Sequence, residues 1–190
     1  MEDLGIPDVV GSDHIFPDTD LALEWAENLL IERITEEAKL TKKIYAIHEI
    51  EVFRDLTADQ LLQVEKYIHP VSFKKGETIF KQGDMGDGMY FIQSGYVSVI
   101  ADLRADGRER RLATFAEGVF FGDMAILENE VRSATVRAEI DTKLLFMSKA
   151  EFQKLVDQEP LIASTMLLGI SRELSYRLRM TNAEVRTLAE

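Results

Sequence analysis

Between residues 120 and 136 the chain sets out side chains and amides suited to holding an anion. Phe120-Phe-Gly-Asp-Met-Ala-Ile-Leu127 is followed by Val131-Arg-Ser-Ala-Thr-Val136. Asp123 to Leu127 is long enough for one helical turn between two strand patterns. Such a turn aims its free N–H groups, here from Gly122 through Met124 to Ala125, at one spot. Arg132 lies at the start of the next strand, where its planar fork reaches a phosphate in the same space, and Ser133 adds a hydroxyl donor. A plainer role stays open, in which Asp123 caps the turn and Arg132 pairs with it or with Glu128. Spacing alone does not choose between the two.

Signals for catalysis are poor. His14, His48 and His69 stand apart and lack metal-ligand spacing. No Gly-x-Ser-x-Gly elbow presents a serine nucleophile. Lys75-Gly-Glu-Thr78 lacks the glycine-rich cradle of a nucleotide-triphosphate loop, and Gly83, Gly86 and Gly88 read as a turn before a strand. With no cysteine in the chain, thiolate chemistry and disulfides are excluded. The expectation is a protein that is not an enzyme and takes no metal or cofactor.

The elements that must hold the anion-binding residues follow from periodicity. Asp18 is a good N-cap for a helix through Leu21, Trp25 and Leu29, and the helical pattern continues through Ile34, Ala38, Leu40, Ile44 and Ile47. Thr57-Ala-Asp-Gln60 is a capping box. From about His69 the period becomes two: Val71/Phe73, Thr78-Ile-Phe80, Met89 to Ile92, Tyr96 to Ile100, Arg110 to Phe115, Ala134 to Ile140 and Leu144 to Met147. Asp106-Gly107 marks a hairpin. So many short strands suggest an antiparallel sandwich or roll. Ser148-Lys-Ala-Glu151 then caps a helix, and after Pro160 a long one runs through Met166, Ile170, Leu174 and Leu178.

Composition narrows the function classes. The 190 residues hold 34 acids and 22 Lys or Arg, a net charge of −12, which disfavours a protein that coats nucleic acid or anionic membrane. Residues 1–50 contain twelve acids and four bases, so −8 of that charge precedes the strands. No Lys or Arg precedes Arg33, as a secretory or transit peptide would require. No apolar run approaches the roughly 20 residues that span a bilayer. The expectation is a soluble, cytoplasmic chain without direct membrane insertion.

The stretch from about Phe53 to Asn182 resembles the cyclic nucleotide-binding domain family. The resemblance rests on Phe73-Lys-Lys-Gly-Glu-Thr-Ile-Phe-Lys-Gln-Gly-Asp84, Tyr90-Phe-Ile-Gln-Ser-Gly-Tyr-Val97, and Phe121-Gly-Asp-Met-Ala-Ile-Leu with Arg132-Ser-Ala-Thr-Val. The last pair resembles the family's phosphate-binding cassette. The implied fold is mainly β with flanking helices (α+β): an eight-stranded antiparallel β-roll, or jelly roll, with N-terminal helices and a long C-terminal helix. The implied ligand is cAMP or cGMP. Arg132, Ser133 and the amides of Met124 and Ala125 would hold its phosphate, and Gly122 and Asp123 its ribose. Asp123 stands where the family usually has glutamate, and Val131 where proline is common. Ser133 occupies the position where cGMP-selective members often have threonine, which favours cAMP.

Arg177-Leu-Arg-Met-Thr-Asn-Ala-Glu-Val-Arg-Thr-Leu-Ala189 is similar to the helix after the roll in the catabolite-activator branch. That likeness implies base contacts from Thr181 and Asn182, and a homodimer through this helix. Phe16 to Leu30 is similar to the last helix of STAS domains in sulfate-permease-type transporters, implying an anion transporter as the regulated output. The chain stops at Glu190 without a helix-turn-helix, and no nucleic-acid partner is expected. The expected division is an acidic extension (1–49), the roll (50–160), and a lid or dimerisation helix (161–190). The function implied is a sensor that passes cyclic nucleotide binding through its terminal helices to an attached or partner domain. The alternative is a structural or interaction module of the same fold that no longer binds nucleotide.

Overall fold

The computed structural model describes residues 43–103, 108–128 and 130–189, with Ala22, Trp25, Ala26 and Leu29 of the front end. The chain forms two compact units, Met1–Lys43 and Ile44–Glu190. In the first, Ala22, Trp25, Ala26 and Leu29 are helical, in keeping with the pattern read after Asp18; the other residues of that helix and of the STAS-like stretch lie outside the described residues.

The second unit begins differently from its sequence pattern. Residues 43–46 are not helical, although Ile44 and Ile47 fit a helical period. The Tyr45 N–H donates to Gln93 O (2.8 Å) and Gln93 Nε2 donates back to Tyr45 O (3.1 Å). Long-range backbone pairing has overridden local preference. Short 3-10 turns follow at Ile47–Glu49 and Glu51–Phe53. Helix α1 (Ala58–Val64) starts at the Thr57 capping box, where Thr57 Oγ1 accepts from the Gln60 amide (3.3 Å) and Gln60 Oε1 from the Thr57 amide (2.9 Å).

Eight antiparallel strands make the roll: β1 (His69–Phe73), β2 (Thr78–Phe80), β3 (Gly88–Ser94), β4 (Val97–Leu103), β5 (Arg108–Phe115), β6 (Phe120–Phe121), β7 (Thr135–Ala138) and β8 (Thr142–Ser148). They form two four-stranded sheets, ordered β1-β8-β3-β6 and β2-β7-β4-β5. Between β6 and β7 lies the short helix α2 (Met124–Leu127). Helices α3 (Lys149–Gln158) and α4 (Pro160–Ala189) close the chain. The Asp106-Gly107 turn lies outside the described residues, but its flanks pair Leu103 with Arg108 as a hairpin requires.

Strand β3 explains the two cores. Gly88 to Ile92 is a continuous buried run, because successive side chains serve opposite faces and both faces are covered. Met89 and Phe91 join Ile50, Phe53, Met147, Phe152, Met166 and Ile170 in a core between sheet and helices. Tyr90 and Ile92 face the inside of the roll with Val97, Phe121, Val136 and Leu144. Adjacent Phe120 and Phe121 divide in the same way, one into each core.

Helix α4 seats its first half on the outer core, with Ile162, Ala163, Met166 and Ile170 buried. At Gly169 it passes so close to the Glu51–Phe53 turn that a Cβ would lie 3.2 Å from both Val52 Cα and Val52 O. Among the described residues no helix is long and apolar enough to cross a membrane.

Candidate functional site

Arg132 is placed by backbone. Its N–H donates to Asp84 O (2.8 Å), its carbonyl accepts from the Gly83 N–H (2.9 Å), and Met85 bridges to Val131. The loop 83–87, read from sequence as a simple turn, therefore pins the arginine. From there the side chain runs inward until it is only 4% exposed. Nη2 donates to Gly88 O (2.8 Å) and pairs with Asp87 Oδ1 (2.6 Å); Nη1 donates to Gly122 O (3.2 Å). The guanidinium carbon sits 4.0 Å from the centre of the Phe80 ring, and Nε is buried without an acceptor among the described residues. Its counter-charge is asymmetric, since the Asp87 side chain is 66% exposed. A buried guanidinium whose main partner sits in water can trade that partner for another anion.

The turn after β6 forms the adjoining wall. Gly122 has φ +78°, the left-handed region, and a Cβ there would fall 2.7 Å from Arg132 Nη1. Glycine satisfies both demands. The Ala125 amide is bonded within the turn to Gly122 O (3.1 Å). Asp123 is buried and precedes α2 without capping it through its side chain. Burial pushes its carboxyl above the usual aspartate range and nearby Glu173 adds to this, while its own amide, Arg177 and Arg132 pull the other way. The Ser133 hydroxyl is exposed and lies 3.6 Å from Met124 Sδ.

A cavity of about 210 Å³ lies against these groups. Phe80, Val99, Phe115, Phe121 and Val136 give it an apolar interior. Gly122, Asp123, Met124, Ala125, Arg132 and Ser133 all line it, so the structure brings together the six residues singled out between 122 and 133. It does not bring in Thr181 and Asn182. Both are exposed, beyond the residues by which α4 reaches the cavity, and the α4 side chains that line it are Leu174 and Arg177.

Arg177 and Asp87 were given no role from sequence. The long-helix pattern was extended through Leu178, but Leu178 is 61% exposed and the inward position belongs to Arg177. The period 166, 170, 174 admits 177 as well as 178, and the charge of Arg177 hid it. Its Nη2 donates to Phe120 O (2.8 Å), its Nε to Glu173 Oε1 (2.7 Å), and its guanidinium lies over Phe115 and Phe120. Asp87 had a fainter signal, an acid next to Gly88 in a loop rich in turn residues.

The site is thus a buried arginine beside a glycine-started helical turn, set in the wall of a β-roll. Residues 70–159 match the family described as "Cyclic nucleotide-binding domain", and the chain carries a domain of that family. The chain is 31% identical over 123 residues to the cyclic AMP receptor protein of Thermus thermophilus, covering 65% of this chain and 56% of that one. It is 30% identical over 166 residues to Glutaminase 1 of Bradyrhizobium diazoefficiens, covering 87% of this chain and 26% of that one. The solved catabolite activator protein of Thermus thermophilus superimposes with a TM-score of 0.63 at 30% identity, over 73% of this chain and 63% of that one. The chain thus spans between about a quarter and just over half of these curated relatives.

Proposed function

We propose that this domain binds a 3′,5′-cyclic nucleotide, cAMP in preference to cGMP, and converts occupancy into a change in how its terminal elements are held. The observation that supports this best is Arg132, a guanidinium buried in an apolar cavity with an unpartnered Nε and an exposed, exchangeable counter-ion. An anion entering the cavity takes over from Asp87 and shares the Gly122–Ala125 turn and the Ser133 hydroxyl. Arg177 and Leu174, rather than Thr181 and Asn182, form the α4 side of the pocket toward ribose and base. The effect on α4 is limited by the ligand's preference for one of its positions over the other. We further propose a cytoplasmic protein that pairs with a second copy through the exposed face of α4, where Leu161, Leu168, Leu178 and Val185 lie.

The expected transporter output rests on residues outside those described. The glutaminase match, at 87% of the chain and 26% of that relative, takes in residues N-terminal to Ile44 and leaves the kind of attached output open. The alternative, a roll retained as an interaction module, is favoured by one observation: Arg132 already holds an ion pair with Asp87. Calorimetric titration with cAMP and cGMP separates the readings. Binding is expected, cAMP the tighter, and Arg132→Lys, which loses the forked geometry, should weaken it by about 10- to 100-fold. Absence of both heat and thermal stabilisation at millimolar nucleotide would support the interaction module.

A further inference from the structure

Methionine occupies two environments in this fold. Met89, Met147 and Met166 are wholly buried in the core between sheet and helices. Met85, Met124 and Met180 are exposed, and of the described methionines only Met124 lines the cavity. It is the first residue of α2 and 44% exposed, and the Ser133 hydroxyl donates to its sulfur at 3.6 Å. Among the described residues that hydroxyl has no other partner. A thioether is a weak acceptor, so the hydroxyl is loosely held and turns readily to a stronger acceptor entering the cavity. Arg132, whose buried Nε has no acceptor among the described residues, lines the same space. The sulfur therefore stands at the rim of an anion site, holding one of its donors in reserve.

We propose that Met124 is an oxidation site through which a peroxide lowers the affinity of the cavity for its anion. The sulfur lone pair attacks one oxygen of hydrogen peroxide and the O–O bond breaks. The transferred oxygen passes its proton to the departing hydroxide, which leaves as water. Sulfur gives up two electrons, the peroxide is reduced, and Met124 becomes a sulfoxide. A sulfoxide oxygen is a strong, electron-rich acceptor. It fixes the Ser133 hydroxyl that the thioether held only weakly, and it adds partial negative charge beside a site built for an anion. Met85 and Met180 are open to the same chemistry, but neither lines the cavity. The effect on nucleotide affinity rests on the proposed function; the oxidation of Met124 and the capture of Ser133 do not.

Three measurements on the full chain test this. The first is peptide mass mapping after graded hydrogen peroxide, without nucleotide. The added oxygen should appear on Met124 while Met89, Met147 and Met166 stay unchanged; a Met124 as resistant as those three would overturn the site. The second is the thermal midpoint before and after peroxide, again without nucleotide, in the wild type and Ser133→Ala. The drop should be larger in Ser133→Ala, because only the wild type gains a hydroxyl–sulfoxide bond; equal drops would overturn the capture of Ser133. The third is cAMP affinity before and after peroxide, compared within each variant. Oxidation should weaken the wild type by about 10-fold or more, and methionine sulfoxide reductase should reverse it. In Met124→Leu, which still carries Met85 and Met180, the loss on oxidation should vanish; an equal loss would place the effect at another methionine and overturn the link. Met124→Gln, whose side-chain carbonyl stands in for the sulfoxide oxygen, should bind more weakly than Met124→Leu with no peroxide present, and equal affinities would count against the capture. Absence of nucleotide binding in every untreated chain would count against the proposed function and leave the first two measurements to decide the oxidation site.

Discussion

A guanidinium withdrawn from water needs compensation, and Arg132 obtains it from two carbonyls, the rings of Phe80 and Tyr90, and an exposed carboxylate. Removing that carboxylate leaves a buried charge underpaired, which costs about 3–5 kcal/mol when the pair is well buried and less here, because Asp87 is mostly in water. Asp87→Asn is therefore expected to lower the thermal midpoint of the free protein and to enlarge the rise produced by saturating cAMP, the ligand phosphate supplying the missing charge. A midpoint change that is the same with and without nucleotide would show that Asp87 and the ligand do not compete. At this scale the grouping of Gly122 to Ala125 with Arg132 and Ser133 around one cavity was legible through the likeness of the segment to the family's cassette, not through spacing alone. Asp87 was not, since an acid in a glycine-rich loop is ordinary until the fold brings it 2.6 Å from an arginine 45 positions away.

Among the elements, the capping boxes and strands were readable from local pattern. Ser148 Oγ accepts from the Glu151 amide at 3.1 Å and Glu151 Oε2 from the Ser148 amide at 3.0 Å, as the motif requires. Glu151 has a second task that no local pattern reveals, pairing with His69 at the start of β1. Burial works to raise the Glu151 carboxyl, but hydrogen bonds from His69 and Ser148 outweigh it and hold it below the usual glutamate range. A lowered folded value means stability fully present above the unfolded value, about 4.5, and lost as pH falls through the lower folded one. Replacing Glu151 with Gln should thus cost stability at neutral pH and progressively less as the solution is acidified below about 4.5. Urea midpoints across that range check it, and a constant difference would remove the ion pair from the account. The segment 43–46 was misread for a related reason: its partner, Gln93, lies far away in sequence.

For the whole molecule, α4 is one helix with two environments. Its first half supplies Ile162, Ala163, Met166 and Ile170 to the outer core, whereas Leu178, Met180 and Val185 are exposed. A chain ending at Met180 should still fold, because among the described residues neither core extends past Leu174. It should also bind cAMP within a few-fold of the full chain, because Leu174 and Arg177 remain. A chain ending at Glu159 should fail to fold, having lost four core residues. If the Met180 truncation abolished binding, Thr181 and Asn182 would regain the base-contact role read for them from sequence. Composition gave the net charge of the chain but not its place. Two thirds of the net negative charge, −8 of −12, lies before Ile50, whereas the buried acid that lines the pocket is Asp123, with arginines beside it.

The Gly169–Val52 approach also has a mechanical meaning. At 1.5 Å per residue α4 is about 45 Å long, and its close approach to Val52 lies roughly 14 Å from one end and 30 Å from the other. Used as a fulcrum, that contact divides the helix into a short arm and an arm about twice as long. Arg177 sits some 12 Å out on the long arm, so a 1 Å displacement of its backbone would swing the far end by about 2.5 Å. A methyl group at position 169 would wedge the fulcrum open, and every distance along the long arm would magnify the error.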